Sequence, residues 1–124
     1  MSLRTPLARA KGLGSAKSGV THFWRQRATA VALVPLTLWF VWTVARYTGA
    51  EHFEVKHFFA NPINASLMLL FVLAGLYHMA LGVQVIIEDY IPREGMKLAL
   101  LLLSQFAACA VAVICVLAIL RLAL

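Results

Sequence analysis

His78 stands inside an apolar run that ends in Glu88, Asp89 and Tyr90. A lone imidazole in that setting can ligate a metal, relay a proton or hydrogen-bond a neighbour. Water does not reach it there, and an unpaired polar group in an apolar medium costs roughly 1–3 kcal/mol, so a partner is required. Gly75 and Gly82 lie three residues before it and four after it, on the same helical face. They leave a shallow slot for a flat macrocycle or for the close approach of a second helix, and spacing alone leaves both open. Eleven residues beyond the histidine a helix has turned about 1100°, so Asp89 falls on the same face, ~16 Å nearer the surface. Glu88 and Asp89 also close a helix C-terminus, where the macrodipole disfavours negative charge by a few tenths to about 1 kcal/mol. A cationic partner or a proton-handling role would account for them, and so would plain solvation in a short loop tightened by Pro92 and Gly95. Tyr90 brings a phenol to the same depth, either to donate to a carbonyl or simply as part of the aromatic belt.

The elements that must position these groups are membrane helices. The chain has 124 residues, of which 62% are hydrophobic, and too little polar surface to cover a small soluble domain. Apolar runs at residues 28–45, 65–87 and 98–120 each match the ~20 helical residues that span ~30 Å of hydrocarbon. The expected fold is an all-α membrane protein with three transmembrane helices. Residues 1–27 form an N-terminal arm and interfacial segment, and residues 28–124 the anchor domain. The first 27 residues lack the apolar core of a secretory leader, so the N-terminus is expected to be retained.

Charge sets the orientation. Arg4, Arg9, Lys11, Lys17, Arg25 and Arg27 precede the first span with no acid among them. The positive-inside rule keeps that end in the cytoplasm, puts the loop around residues 46–64 outside, the loop at 88–97 inside and the C-terminus outside. Arg46 breaks the pattern and must snorkel or pair locally. The basic balance is explained by orientation and anionic lipid head groups, without nucleic acid as a partner.

Residues 1–20, with Gly12, Gly14, Gly19 and several Ser, show no period and read as a loose arm that a partner orders. Thr21 reads as the N-cap of a helix through His22, Phe23, Trp24 and Arg25 that lies in the interface before the first span. Pro35 within that span predicts a mild kink. The outer loop is expected to hold a short surface helix. Its His52 and His57, with Glu51 and Glu54, offer metal-ligating types without a supporting spacing rule. Cys109 and Cys115 are six residues apart, about 600° around a helix, and point to different sides.

The run His78, Met79, Ala80, Leu81, Gly82, with Gln84 following and Glu88, Asp89, Tyr90 closing it, resembles the second membrane helix of a known family. That family is the small hydrophobic membrane anchor of succinate dehydrogenase (succinate:ubiquinone oxidoreductase, respiratory complex II). Its most specific mark is the spacing from histidine to Asp-Tyr. Arg27, Ala28, Thr29, Ala30 is similar to the start of that family's first span, and residues 12–24 look like its alphaproteobacterial branch. The resemblance covers essentially the whole chain. It implies that His78 is an axial ligand to the iron of haem b, with the second histidine supplied by the other, cytochrome-type anchor of the complex. It implies that Tyr90 hydrogen-bonds a ubiquinone carbonyl with Asp89 beside it. Arg27 matches an arginine near the haem propionates and the quinone pocket, where a cation is electrostatically suited. His22 is assigned to the same neighbourhood, and Gln84, one place nearer the histidine than in some relatives, is given no role.

The implied function is electron transport from succinate oxidation, a step of the tricarboxylic acid cycle. Succinate is oxidised at a flavoprotein subunit, electrons pass through an iron–sulfur subunit, and ubiquinone is reduced at the cytoplasmic face of the bacterial inner membrane against both anchors. This chain would form half of a two-subunit anchor bundle and do no covalent chemistry alone. A ubiquinone site needs an apolar pocket, hydrogen-bond donors and a proton route from water. One histidine supplies only one axial ligand, so a second anchor is required. Two other classes compete: a small haem-binding subunit of another quinone-linked respiratory complex, and a non-catalytic assembly subunit that would leave His78 and Tyr90 unused.

Overall fold

The computed structural model describes residues 5–12 and 17–124. Arg4 of the basic group and Gly14 of the arm lie outside the described residues. The order of elements is α1 (Pro6–Ala10), α2 (Lys17–Tyr47), α3 (His52–Ala60), α4 (Pro62–Tyr90) and α5 (Glu94–Ala123), with no strand among the described residues. Within them Gly19–Tyr47, Pro62–Tyr90 and Glu94–Ala123, at 29, 29 and 30 residues, are long and apolar enough to cross a membrane. The protein is an integral, all-α membrane protein. At 1.5 Å per residue each helix is ~44 Å long, so its ends reach past the ~30 Å hydrocarbon layer into the head groups.

Two expectations for the N-terminal segment change. Residues 6–10 are helical: Pro6 takes the first position, where a missing N–H is harmless, and the Lys11 amide still donates to Leu7 O at 3.0 Å. Gly12, at φ 63°, turns the chain after it. Thr21 is not an N-cap, because α2 already begins at Lys17. Gly19 costs about 1 kcal/mol inside a helix, too little to stop one that continues into a long apolar span. The interfacial segment and the first span are therefore one helix, unbroken at residue 28 and across Pro35.

α4 is the middle helix, packed against α2 on one side and α5 on the other, with α3 resting on α4 and α5. The loop between the first two spans holds the expected short helix, and aromatic rings fasten it. Phe58 of α3 lies 6.4 Å from Trp39 and 4.7 Å from Tyr47, both on α2, ring centroid to centroid. Gly49, at φ 82°, makes the turn out of α2, and Asn61 starts α4 by accepting the Ile63 amide at 2.9 Å with Pro62 at the first helical position. Farther along α2, Phe40 stacks on Phe71 of α4 at 4.5 Å. Among the described residues the buried apolar side chains are few: Phe59, Ala65, Ala80, Leu81, Ile87 and Ile119. That is the pattern of helices held by close packing in lipid rather than by expulsion of water.

Candidate functional site

The face that α2 turns to α4 is built from His22, Gln26, Thr29 and Leu33, spaced four, three and four residues apart, so that they follow one stripe of a helix. α4 answers in antiparallel register. A Cβ added at Gly75 would lie 4.0 Å from Leu33 Cδ2, and one added at Gly82 would lie 3.8 Å from Gln26 Nε2. Both glycines thus lie on the face of α4 that packs against α2, each at ordinary contact distance from one α2 side chain.

Between the glycines, the His78 ring is held from α2. Thr29 Oγ1 lies 2.9 Å from His78 Nδ1, and Gln26 Nε2 lies 3.4 Å from His78 Nε2. The same Thr29 hydroxyl is 2.8 Å from Arg25 O and 3.0 Å from Gln26 O, the carbonyls one turn back in its own helix. Gln26 Oε1 is buried without a hydrogen-bond partner among the described residues. The half-buried imidazole also borders an apolar groove of about 410 Å³ lined by Ala30, Leu33, Val34, Thr37 and Leu38. Neither Gln26 nor the role of Thr29 was read from the sequence. The stripe from His22 to Leu33 was the signal available, but it becomes informative only once α4 is known to lie against it.

Toward the N-terminal end of α2 the interface opens. A cleft of about 550 Å³ is lined by Gly19, Thr21, His22 and Arg25 of α2 and by Leu81, Gln84 and Glu88 of α4. Gln84 Nε2 donates to Glu88 Oε1 at 2.8 Å, a charge-assisted bond that offsets the unfavourable place of this carboxylate at a helix C-terminus. Among the described residues Glu88 makes no ion pair, and this neighbouring amide is its partner within the chain. Next to it a cleft of about 450 Å³ brings together His22, Gln26 and Arg27 with Gly19, Phe23, Gly82 and Val85. His22 borders both, with Nε2 buried and unpartnered among the described residues. Arg27 places its guanidinium carbon 5.3 Å from the Phe23 ring centroid, a cation–π contact.

Asp89 and Tyr90 do not line either cleft. Both are exposed, Tyr90 by 78%, and neither side chain has a hydrogen bond or ion pair among the described residues. Of the five residues singled out by sequence, then, Arg27 and His22 meet in one cleft and His78 lies one contact away through Gln26. Asp89 and Tyr90 present themselves outward at the end of α4.

At the opposite end of the molecule, among the described residues, no group of three or more His, Cys, Asp or Glu side chains is placed to hold a metal ion. His52 borders a groove with Lys56 and Arg121, whose charges repel cations, and His57 lies along Phe53 with ring centroids 6.4 Å apart. Arg46 is exposed and makes no ion pair among the described residues, which leaves snorkelling as its means of reaching water. Cys109 and Cys115 are free thiols.

Over residues 1–119 the chain matches the family described as succinate dehydrogenase/fumarate reductase transmembrane subunit. It is 36% identical over 120 residues to the succinate dehydrogenase hydrophobic membrane anchor subunit of Paracoccus denitrificans, covering 97% of this chain and 92% of that one. The protein of the same description from Rickettsia bellii is 36% identical over 99 residues, covering 80% and 79%. The succinate dehydrogenase membrane anchor subunit of Reclinomonas americana is 33% identical over 95 residues, covering 74% and 79%. No solved structure gave a significant match.

Proposed function

Because the chain belongs to the succinate dehydrogenase/fumarate reductase transmembrane subunit family, as a membrane anchor subunit, we propose that it co-ligates haem b through His78 and forms one wall of a ubiquinone-reduction site at the cytoplasmic membrane face. The observation that carries the reading is the ring of His78, gripped at Nδ1 by a hydroxyl at 2.9 Å. Its other nitrogen has only a long 3.4 Å amide contact.

That donor set fits a haem ligand. A ligating histidine needs one nitrogen oriented by a hydrogen bond and the other with its lone pair accessible, in a dry setting. Thr29 supplies the first condition, and the Leu33, Val34 and Leu38 groove supplies the apolar surroundings. Held by this imidazole together with a second anchor, haem would supply a one-electron store whose potential is set by ligation and burial. Arg27, with Gln26 and His22 in the adjoining cleft, is the cation available to the propionates.

For ubiquinone, the outward position of Tyr90 supports a site completed by the other chains of the complex. Its phenol is free to donate to a quinone carbonyl, and the Asp89 carboxylate beside it accepts and returns protons at the water line. The polar cleft behind them, with Glu88, His22 and Arg25 on its walls, gives water a way to that rim. An anchor with these roles assembles with a second anchor and with the iron–sulfur and flavoprotein subunits, its N-terminus cytoplasmic and its C-terminus periplasmic.

The test is a dithionite-reduced minus oxidised visible spectrum of the detergent-purified complex isolated through this chain, with His78→Ala in parallel. A b-type band in a complex containing flavin and iron–sulfur subunits, lost or strongly reduced in the variant, is the expected result. A haem-free wild-type complex, or a band that His78→Ala leaves intact, would overturn the ligand assignment.

A further inference from the structure

Thr29 has one hydroxyl proton and three neighbours at hydrogen-bonding distance: Arg25 O at 2.8 Å, Gln26 O at 3.0 Å and His78 Nδ1 at 2.9 Å. A threonine within a helix ordinarily donates to the carbonyl one turn back, which is also the shortest of these contacts. Its oxygen then has lone pairs left for a donor, and the only donor His78 can offer at that distance is an Nδ1–H.

We propose that Thr29 is a positioning residue that fixes His78 as its Nδ1–H tautomer and leaves Nε2, whose neighbour on α2 is the Gln26 amide nitrogen at 3.4 Å, unprotonated as the ligating atom. The inference rests on the haem reading above and extends it to the redox properties of the site. A hydrogen bond from Nδ1–H to Thr29 makes the imidazole a better electron donor through Nε2, which favours ferric over ferrous iron. Thr29 therefore holds the haem potential down. It also restricts rotation of the ring about its own side-chain bonds, so the ligand plane is fixed by α2 although the ligand is carried by α4.

The experiment is a potentiometric titration of the haem in the whole purified complex, with low-temperature EPR of the ferric form, for wild type, Thr29→Val and Thr29→Ser. Valine keeps the shape and removes the acceptor; serine keeps the acceptor and removes a methyl. The expected outcome is a potential shifted positive in Thr29→Val with an altered largest g value, and wild-type values in Thr29→Ser. Haem lost altogether from Thr29→Val but retained at the wild-type potential in Thr29→Ser supports the same role. An unchanged or more negative potential in Thr29→Val overturns the proposal, as does a serine variant that behaves like valine, since the methyl would then be what matters. Failure of the haem reading itself is recognised separately, by a wild-type complex without haem or by haem that survives His78→Ala.

Discussion

At the scale of single residues, the candidate chemistry divides between a ring held inside the helix interface and groups presented at its rim. His78 was legible in the sequence because an imidazole in an apolar run has no solvent to satisfy it. Its partners were not, because Gln26 and Thr29 lie about fifty residues away and are ordinary polar residues by type. Tyr90 shows the reverse. Its place at the end of α4 followed from sequence, whereas only the structure shows that, at 78% exposed, it lines neither of this chain's own clefts. One neutral hydrogen bond contributes about 0.5–1.5 kcal/mol net, so Tyr90→Phe is expected to lower quinone reduction by up to roughly tenfold. Succinate oxidation with a soluble acceptor should stay at wild-type rate. Equal loss of both activities would show that the phenol supports assembly and not the quinone step.

At the scale of elements, the packing of α2 on α4 decides what the site can be. Gly75 and Gly82 let the helices approach, yet neither is so crowded that a methyl is excluded: the added Cβ would meet Leu33 Cδ2 at 4.0 Å or Gln26 Nε2 at 3.8 Å, both ordinary contacts. Alanine at either position is therefore expected to be tolerated, with helix propensity in its favour by up to about 1 kcal/mol. Leucine should instead wedge the helices apart at a cost of about 1–3 kcal/mol. The check is the thermal midpoint of the intact complex. A Gly75→Leu complex as stable as wild type would mean that α2 does not sit where it is described. The ring cluster at the other end makes a parallel prediction. Phe58→Ala removes the contacts of α3 to Trp39 and Tyr47 and should cost about 2–4 kcal/mol, seen as faster amide exchange across residues 47–61. Unchanged exchange there would refute the aromatic fastening.

At the scale of the whole molecule, α2 is the barest of the three membrane-length helices, with Val31 and Trp42 exposed by 72 and 59% away from the hydrogen-bonded stripe and Val34 and Leu38, beside the His78 groove, by 61 and 68%. In a membrane such a face meets lipid or another protein chain. The orientation that the charge pattern predicts can be checked with cysteines in a Cys109→Ala, Cys115→Ala background. Arg93→Cys, between α4 and α5, is expected to react with an impermeant maleimide only from the cytoplasmic side. His57→Cys, in α3, is expected to react only from the periplasmic side. The inverse pattern would overturn the topology.

The sequence by itself determined what depends on composition and local spacing. It specified three apolar helices long enough to span lipid, a short helix in the loop between the first two, one imidazole within an apolar span, and acids and a tyrosine at the end of its helix. Hydrophobic length and helical period are properties of neighbours along the chain, so they need no fold to be read. Tertiary structure decided everything that required α2 to be laid against α4. It laid α2 against the face of α4 that carries Gly75 and Gly82, set Thr29 and Gln26 on the two nitrogens of His78, and gathered His22, Arg27 and Glu88 along the clefts while turning Tyr90 and Asp89 outward. It also carried α2 through Thr21, because a long helix docked along one face outweighs the local capping preference of a single threonine.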